Sequence, residues 1–100
     1  MSYWFEGIVA NTMRPKPNGY ETISVTNAAV KDLTVPADSF RAVLVGTYDI
    51  RVLFGADPTT SVGFLVEAGT IFELQSAEEL AAFRMIAPST TSVVTVLYSK

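Results

Sequence analysis

The chain has 100 residues, of which 49% are apolar and 17% are charged, and its formal net charge at pH 7 is −3. This length and apolar share predict one folded domain and exclude a disordered chain. The chain contains no cysteine and no histidine. That excludes a disulfide framework and thiol catalysis, and it removes the commonest general base and transition-metal ligand.

The charged residues and the apolar runs also limit the classes of partner. The seven lysines and arginines are scattered along the chain, so we expect no basic patch and no direct binding of nucleic acid. No apolar run approaches the roughly 18 residues of a membrane span. The N-terminus lacks the pattern of a signal peptide. We therefore expect synthesis in the cytosol and no contact with a membrane.

Residues 1–19 are predicted to form an N-terminal arm or edge strand followed by a loop rich in proline. Three aromatic residues in a row and a nearby isoleucine would not stay in water, and two alternatives are open. The segment packs on the core of its own domain, or it docks on a neighbouring subunit. The apolar residues concerned are Tyr3, Trp4, Phe5 and Ile8.

Residues 20–100 are predicted to form the folded domain, which begins with three strands. Residues 20–26 alternate, with Tyr20 and every second residue after it on one face and Ile23 and Val25 on the other. Residues 33–35 predict a short strand. Residues 40–47 predict a strong strand, and Gly46 within it indicates a bulge or a close approach of another backbone.

Residues 48–74 predict three antiparallel strands joined by two tight turns. Ile50, Val52 and Phe54 lie on one face of the first strand. A turn at residues 55–60 contains Pro58, and the second turn contains Gly69, which is placed to adopt a positive φ. Short connections favour antiparallel pairing, because parallel neighbours need a long crossover.

The remaining residues predict one short helix and two further strands. Ser76 and Glu79 form a capping-box pattern at the start of a helical turn over residues 76–83. Residues 84–87 and 93–98 predict strands. The spacing of seven or eight strands indicates an all-β fold, either an antiparallel β-sandwich or a jelly-roll-like barrel.

Three of the predicted strands are apolar on both faces, although a half-exposed antiparallel strand should have one polar face. The outer faces could be covered by the N-terminal segment or the helical turn of the same chain. Alternatively, a second protein chain covers at least one face, and the low share of charged residues favours this hypothesis. The candidate interface residues are then Tyr3, Trp4, Phe5, Ile8, Phe64, Val66 and Tyr98.

The sequence shows no pattern typical of catalysis or cofactor binding. No nucleophile and base can be paired without cysteine or histidine. Glu78 and Glu79 diverge on a helical turn, and Asp57 is expected to favour a turn rather than to bind calcium. The glycines match neither a phosphate-binding loop nor a dinucleotide fingerprint. We therefore expect no catalytic, cofactor-binding or metal-binding residues.

From Tyr20 to Tyr98 the chain resembles a family of small proteins encoded in the structural-gene region of tailed bacteriophages. The order and spacing of its strand and turn motifs carry the resemblance. These motifs are YETISVTN at residues 20–27, LTVPA at 33–37, FRAV at 40–43, IR at 50–51, GADPT at 55–59, VG at 62–63, EAG at 67–69, Leu74, FRMI at 83–86 and VVTVLY at 93–98.

The resemblance implies a compact β-sandwich that is incorporated in virions and binds neighbouring virion subunits, with no catalytic residues. The most direct expectation is a capsid decoration (cement) protein that forms homo-oligomers or is present in many copies. A head–tail connector, a tail-associated protein or a module that binds a host glycan or receptor are the alternatives. The first 19 residues lie outside the pattern.

Overall fold

The computed structural model describes residues 16–100, which form two antiparallel sheets and one short helix. The predictions for Tyr3, Trp4, Phe5 and Ile8 lie outside the described residues. Within them, the prediction of an all-β fold with about seven strands and one helical turn is confirmed. The elements are β1 (Pro17–Val25), β2 (Arg41–Gly46), β3 (Ile50–Phe54), β4 (Phe64–Val66), β5 (Phe72–Leu74), α1 (Ala77–Ala82), β6 (Phe83–Ile86) and β7 (Ser92–Ser99).

The large sheet has the strand order β1-β7-β2-β5, and the small sheet has the order β4-β3-β6. The central strand β7 alternates along its whole length. Val94, Val96 and Tyr98 are fully buried, whereas Val93 and Leu97 are exposed. The buried residues of β7 face the small sheet, so the hydrophobic core lies between the two sheets. Its buried members are Val25, Ala42, Leu44, Ile50, Val52, Val66, Leu74, Leu80, Phe83, Met85, Ala87, Val94, Val96 and Tyr98.

The predicted three-stranded meander over residues 48–74 is correct for its first two strands and wrong for the third. β3 and β4 pair antiparallel, with Val52 opposite Phe64. β5 instead pairs with β2 of the large sheet. The turn before β5 explains this path, because the N–H of Gly69 (φ 78°) donates a hydrogen bond of 2.9 Å to the carbonyl of Gly46 at the end of β2. The turn therefore carries the chain from one sheet to the other.

Two further features differ from the prediction, one strand that is absent and one strand that begins earlier. Residues 33–35 are not a strand in the structure. The N–H of Thr34 donates a hydrogen bond of 2.9 Å to Glu21 Oε2 and not to a neighbouring strand. β1 begins at Pro17 and not at Tyr20, because Lys16 and Lys100 exchange two backbone hydrogen bonds of 2.7 and 2.8 Å. This pairing holds the start of β1 against the end of β7.

The cap at Ser76 and the close approach at Gly46 are confirmed, but the reciprocal bond of the capping box goes to Gln75, one residue before the cap. Ser76 Oγ accepts a hydrogen bond of 3.1 Å from the N–H of Glu79, and Glu79 Oε1 accepts one of 2.6 Å from the N–H of Gln75. A Cβ at Gly46 would lie 2.8 Å from Ser92 Oγ. The buried hydroxyl of Ser92 accepts a hydrogen bond from the N–H of Tyr48 and donates one to its carbonyl. It therefore joins β7 to the connection between β2 and β3.

Candidate interaction surfaces

The side chains of β1, β7 and β2 that point away from the core form a continuous surface, which we call the outer face. The register places Tyr20 opposite Leu97 and Leu97 opposite Val43, so that one apolar row crosses three strands. The members of the outer face are all uncharged. They are Tyr20, Thr22, Ser24, Val43, Val45, Val93, Thr95 and Leu97.

The outer face is exposed and is bordered by charged residues on β5 and at the start of β2. Tyr20 is 75% exposed and Leu97 is 51% exposed. Glu73 of β5 stands opposite Val43 and forms an ion pair of 2.7 Å with Arg41 of β2. Three strands about 4.8 Å apart and about six residues long give an area of roughly 300 Å². Five of its eight side chains are apolar, so the apolar part of the face is smaller than this, and the largest apolar patch on a monomer often has a function.

A second apolar surface lies at the side of the sandwich where the two sheets separate, and we call it the edge cleft. Its volume is about 380 Å³. It opens between β4 of the small sheet and β5 of the large sheet. Six of its eight lining residues are apolar. The lining residues are Val52, Phe54, Phe64, Leu65, Val66, Glu67, Thr70 and Phe72.

Phe64 shows why the cleft is open. It pairs in register with the buried Val52, so it lies on the inner face of the small sheet, yet it is 69% exposed. Residues opposite each other on neighbouring strands share a face. The inner face at β4 therefore extends beyond the cover that the three-residue β5 provides. Behind this lining the buried Phe83 packs against two of the lining residues, its ring centroid lying 5.7 Å from that of Phe54 and 6.0 Å from that of Phe72.

The sequence-predicted interface residues separate into two groups. Phe64 is exposed and lies in the edge cleft, as an interface residue requires. Tyr98 is fully buried, so its prediction as an interface residue is wrong, whereas Val66 is only 8% exposed but contributes to the lining of the edge cleft. Val66 pairs with the buried Ile50, and Tyr98 follows the inward positions of β7. Alternation along β7, which places Leu97 outward, was the signal that could have identified Leu97 instead of Tyr98.

Three comparisons, with family models, with curated proteins and with solved structures, give no match to this chain. Interpretation of the two surfaces therefore depends on their own geometry and chemistry.

The polar groups of the described residues hold the fold together. Arg51 donates hydrogen bonds of 3.2 and 3.0 Å to the carbonyls of Thr60 and Gly63, so it secures the connection between β3 and β4. Within residues 16–100, no three acidic, cysteine or histidine side chains come together as metal ligands would. No helix in this part of the chain is long and apolar enough to cross a membrane.

Among residues 16–100, the one side chain with a strongly shifted pKa is a buried tyrosine that lies away from both surfaces. The hydroxyl of Tyr98 donates a hydrogen bond to Glu21 Oε2, the same oxygen that accepts the N–H of Thr34. Burial raises the pKa of Tyr98 far above its ordinary value of 10.0, and the hydrogen bond and the charge of Glu21 raise it further. The phenol stays neutral and joins β7, β1 and the segment after β1, which is a structural role.

Proposed function

We propose that this chain is a non-enzymatic structural subunit of a tailed-bacteriophage particle, most directly a capsid decoration (cement) protein. The outer face is the observation that carries the assembly part of this proposal. The assignment to a phage particle is supported by the resemblance of residues 20–98 to virion proteins. A head–tail connector or a tail-associated protein would use the same surface and stays the alternative.

The binding free energy that the outer face can contribute favours a subunit that binds in many copies. Tyr20, Leu97, Val93 and Val45 are between 37% and 75% exposed. Covering the remaining surface of four such side chains contributes on the order of 4 kcal/mol. Association costs roughly 4 to 15 kcal/mol. One contact through this face is therefore weak, whereas contacts shared over an array of subunits add avidity.

The edge cleft does not favour the glycan-binding alternative. A site for a small polar ligand combines apolar walls with several converging polar groups. Among the described residues, Glu67 and Thr70 are the only polar ones that line the cleft. The outer face combines apolar side chains with threonine and serine hydroxyls and has no charged member. We therefore place the subunit contact at the outer face.

The test is the copy number of two charged variants in purified phage particles from the source of the gene. Leu97→Lys places a charge in the apolar row of the outer face. Val62→Lys is the matched control, because Val62 is 55% exposed against 51% for Leu97 and lies in the connection between β3 and β4. Circular dichroism and a thermal melt establish that both variants fold.

We expect the wild type and Val62→Lys to be present at equal copy number, and Leu97→Lys to be reduced at least tenfold. Hundreds of copies per particle would indicate the capsid, and about six or twelve would indicate the neck or tail. A wild-type chain that is absent from the particles would overturn the virion proposal. A folded Leu97→Lys variant at wild-type copy number would exclude the outer face as the attachment surface.

A further inference from the structure

We propose that the edge cleft is the docking site for the chain's own N-terminal residues 3–8. This selects the first of the two alternatives for Tyr3, Trp4, Phe5 and Ile8, in which they pack on their own domain. The inference does not depend on the proposed virion role, since it concerns a different surface of the molecule.

The cleft has the properties of a site that an extended apolar segment would complete. Phe64 and Leu65 of β4 line the cleft and are 69% and 48% exposed. β4 and β5 are the outermost strands of their sheets at this side. Each therefore has one row of backbone groups without a strand partner among the described residues. An added strand satisfies such groups and buries apolar side chains at the same time.

The position of Lys16 sets which segment can reach the cleft. Its backbone bonds to Lys100 fix it at the β1 side of the large sheet. From there, β5 is three strands away, or about 14 Å, and Phe72 lies about four residues along the strands, or about 13 Å. Eight extended residues span about 26 Å. Ile8 can therefore reach the mouth of the cleft, and residues 3–5 can extend into it.

The covalent connection between residue 8 and Lys16 also favours the chain's own segment over the same segment of a neighbouring copy. A short connection within one chain gives an effective concentration of about millimolar at a site within its reach. A second copy at micromolar concentration competes poorly against this. The composition of residues 3–8 fits the lining, because either face of an extended segment presents aromatic side chains to it, Tyr3 and Phe5 on one face or Trp4 on the other, and offset or edge-to-face aromatic contacts are favourable.

Disulfide trapping tests this docking, because the natural chain contains no cysteine. Glu6→Cys is combined with Thr70→Cys, which places a thiol in the cleft lining and leaves its apolar residues intact. The matched control combines Glu6→Cys with Thr95→Cys on the outer face. Thr95 is about 18 Å from Lys16 by strand geometry, so both partners are within reach of residue 6. Tether length alone therefore favours neither pair.

We expect the Glu6→Cys/Thr70→Cys pair to form an intramolecular disulfide at least ten times faster than the control pair, at micromolar protein. Adding Phe64→Asp to the cleft pair should lower its rate to that of the control. Equal rates for the two pairs, or an unchanged rate with Phe64→Asp, would overturn the proposal. Disulfide-linked dimers as the main product would also overturn it, and would assign the cleft to a neighbour's segment.

Discussion

Replacing Tyr98 by phenylalanine tests whether the buried contact with Glu21 closes one side of the sandwich. The ring of Tyr98 is fully buried, and its hydroxyl joins β7 to β1 through Glu21 Oε2. The substitution keeps the ring and removes only the hydroxyl. It leaves Glu21 with the N–H of Thr34 as its remaining partner at that oxygen.

The expected loss follows from the charge on the acceptor. A hydrogen bond to a charged group contributes about 1.5 to 3 kcal/mol. In a domain of this size, each kcal/mol shifts the melting temperature by roughly 4 to 8 °C. We therefore expect Tyr98→Phe to lower the free energy of unfolding by about 2 kcal/mol and the melting temperature by roughly 10 °C. The control is Tyr20→Phe, which loses a hydroxyl from a side chain that is 75% exposed.

Alkaline pH provides an independent measurement of the same contact. The pKa of Tyr98 is raised in the folded state, so above pH 10.0 the unfolded state loses the phenolic proton while the folded state keeps it. Stability from this group is complete below pH 10.0 and falls as the pH rises. At pH 11 the loss is about 1.4 kcal/mol. The Tyr98→Phe variant should lack this component of the alkaline decline.

Urea denaturation at pH 7 and at pH 11 measures both effects. A free energy of unfolding for Tyr98→Phe within about 0.5 kcal/mol of the wild type at pH 7 would refute the structural role of the contact. An alkaline decline of the same size in both proteins would show that Tyr98 is not the titrating group. Either result would contradict the reasoning from its burial and its hydrogen bond.

Two further predictions concern local packing and capping. Gly46→Ala places a Cβ 2.8 Å from Ser92 Oγ and 3.0 Å from the carbonyl oxygen of Tyr48, so we expect a loss of about 1 to 3 kcal/mol. Urea denaturation beside Ser24→Ala, an exposed substitution on β1, checks it, and equal stability of the two variants would contradict it. Ser76→Ala removes the cap of α1 and should cost about 1 kcal/mol. Ser76→Asp should restore most of that loss, and a stable Ser76→Ala variant would show that Leu80 alone holds the helix.

Most strands were predictable because alternation and turn chemistry act locally. The alternating residues of β7 and the capping box at Ser76 gave the correct element types. The destination of β5 was not predictable, because a four-residue turn can return to the same sheet or cross to the other one. The hydrogen bond between Gly69 and Gly46, which decides this, joins residues far apart in sequence.

The candidate surfaces were predictable in kind and only partly in position. An excess of apolar strand residues indicated uncovered faces, and the outer face and the edge cleft are such faces. The individual residues depended on which side of each strand faces the core. The sequence predicts Tyr98 as an interface residue because its strand is apolar on both sides. Its position in β7 turns the side chain towards the core. The edge cleft depends on how the edges of the two sheets face each other across the sandwich, which no local sequence pattern contains.

The shortness of β4 and β5 also limits how copies of this protein can aggregate. Each offers only three residues to an incoming strand, so a sheet that continued from molecule to molecule on this side would gain few hydrogen bonds per joint. Edge-to-edge strand pairing that repeats from molecule to molecule does not close on itself and produces fibres. The broad side of the large sheet permits a different geometry, in which each contact is used once and growth stops when the opposing surface is filled.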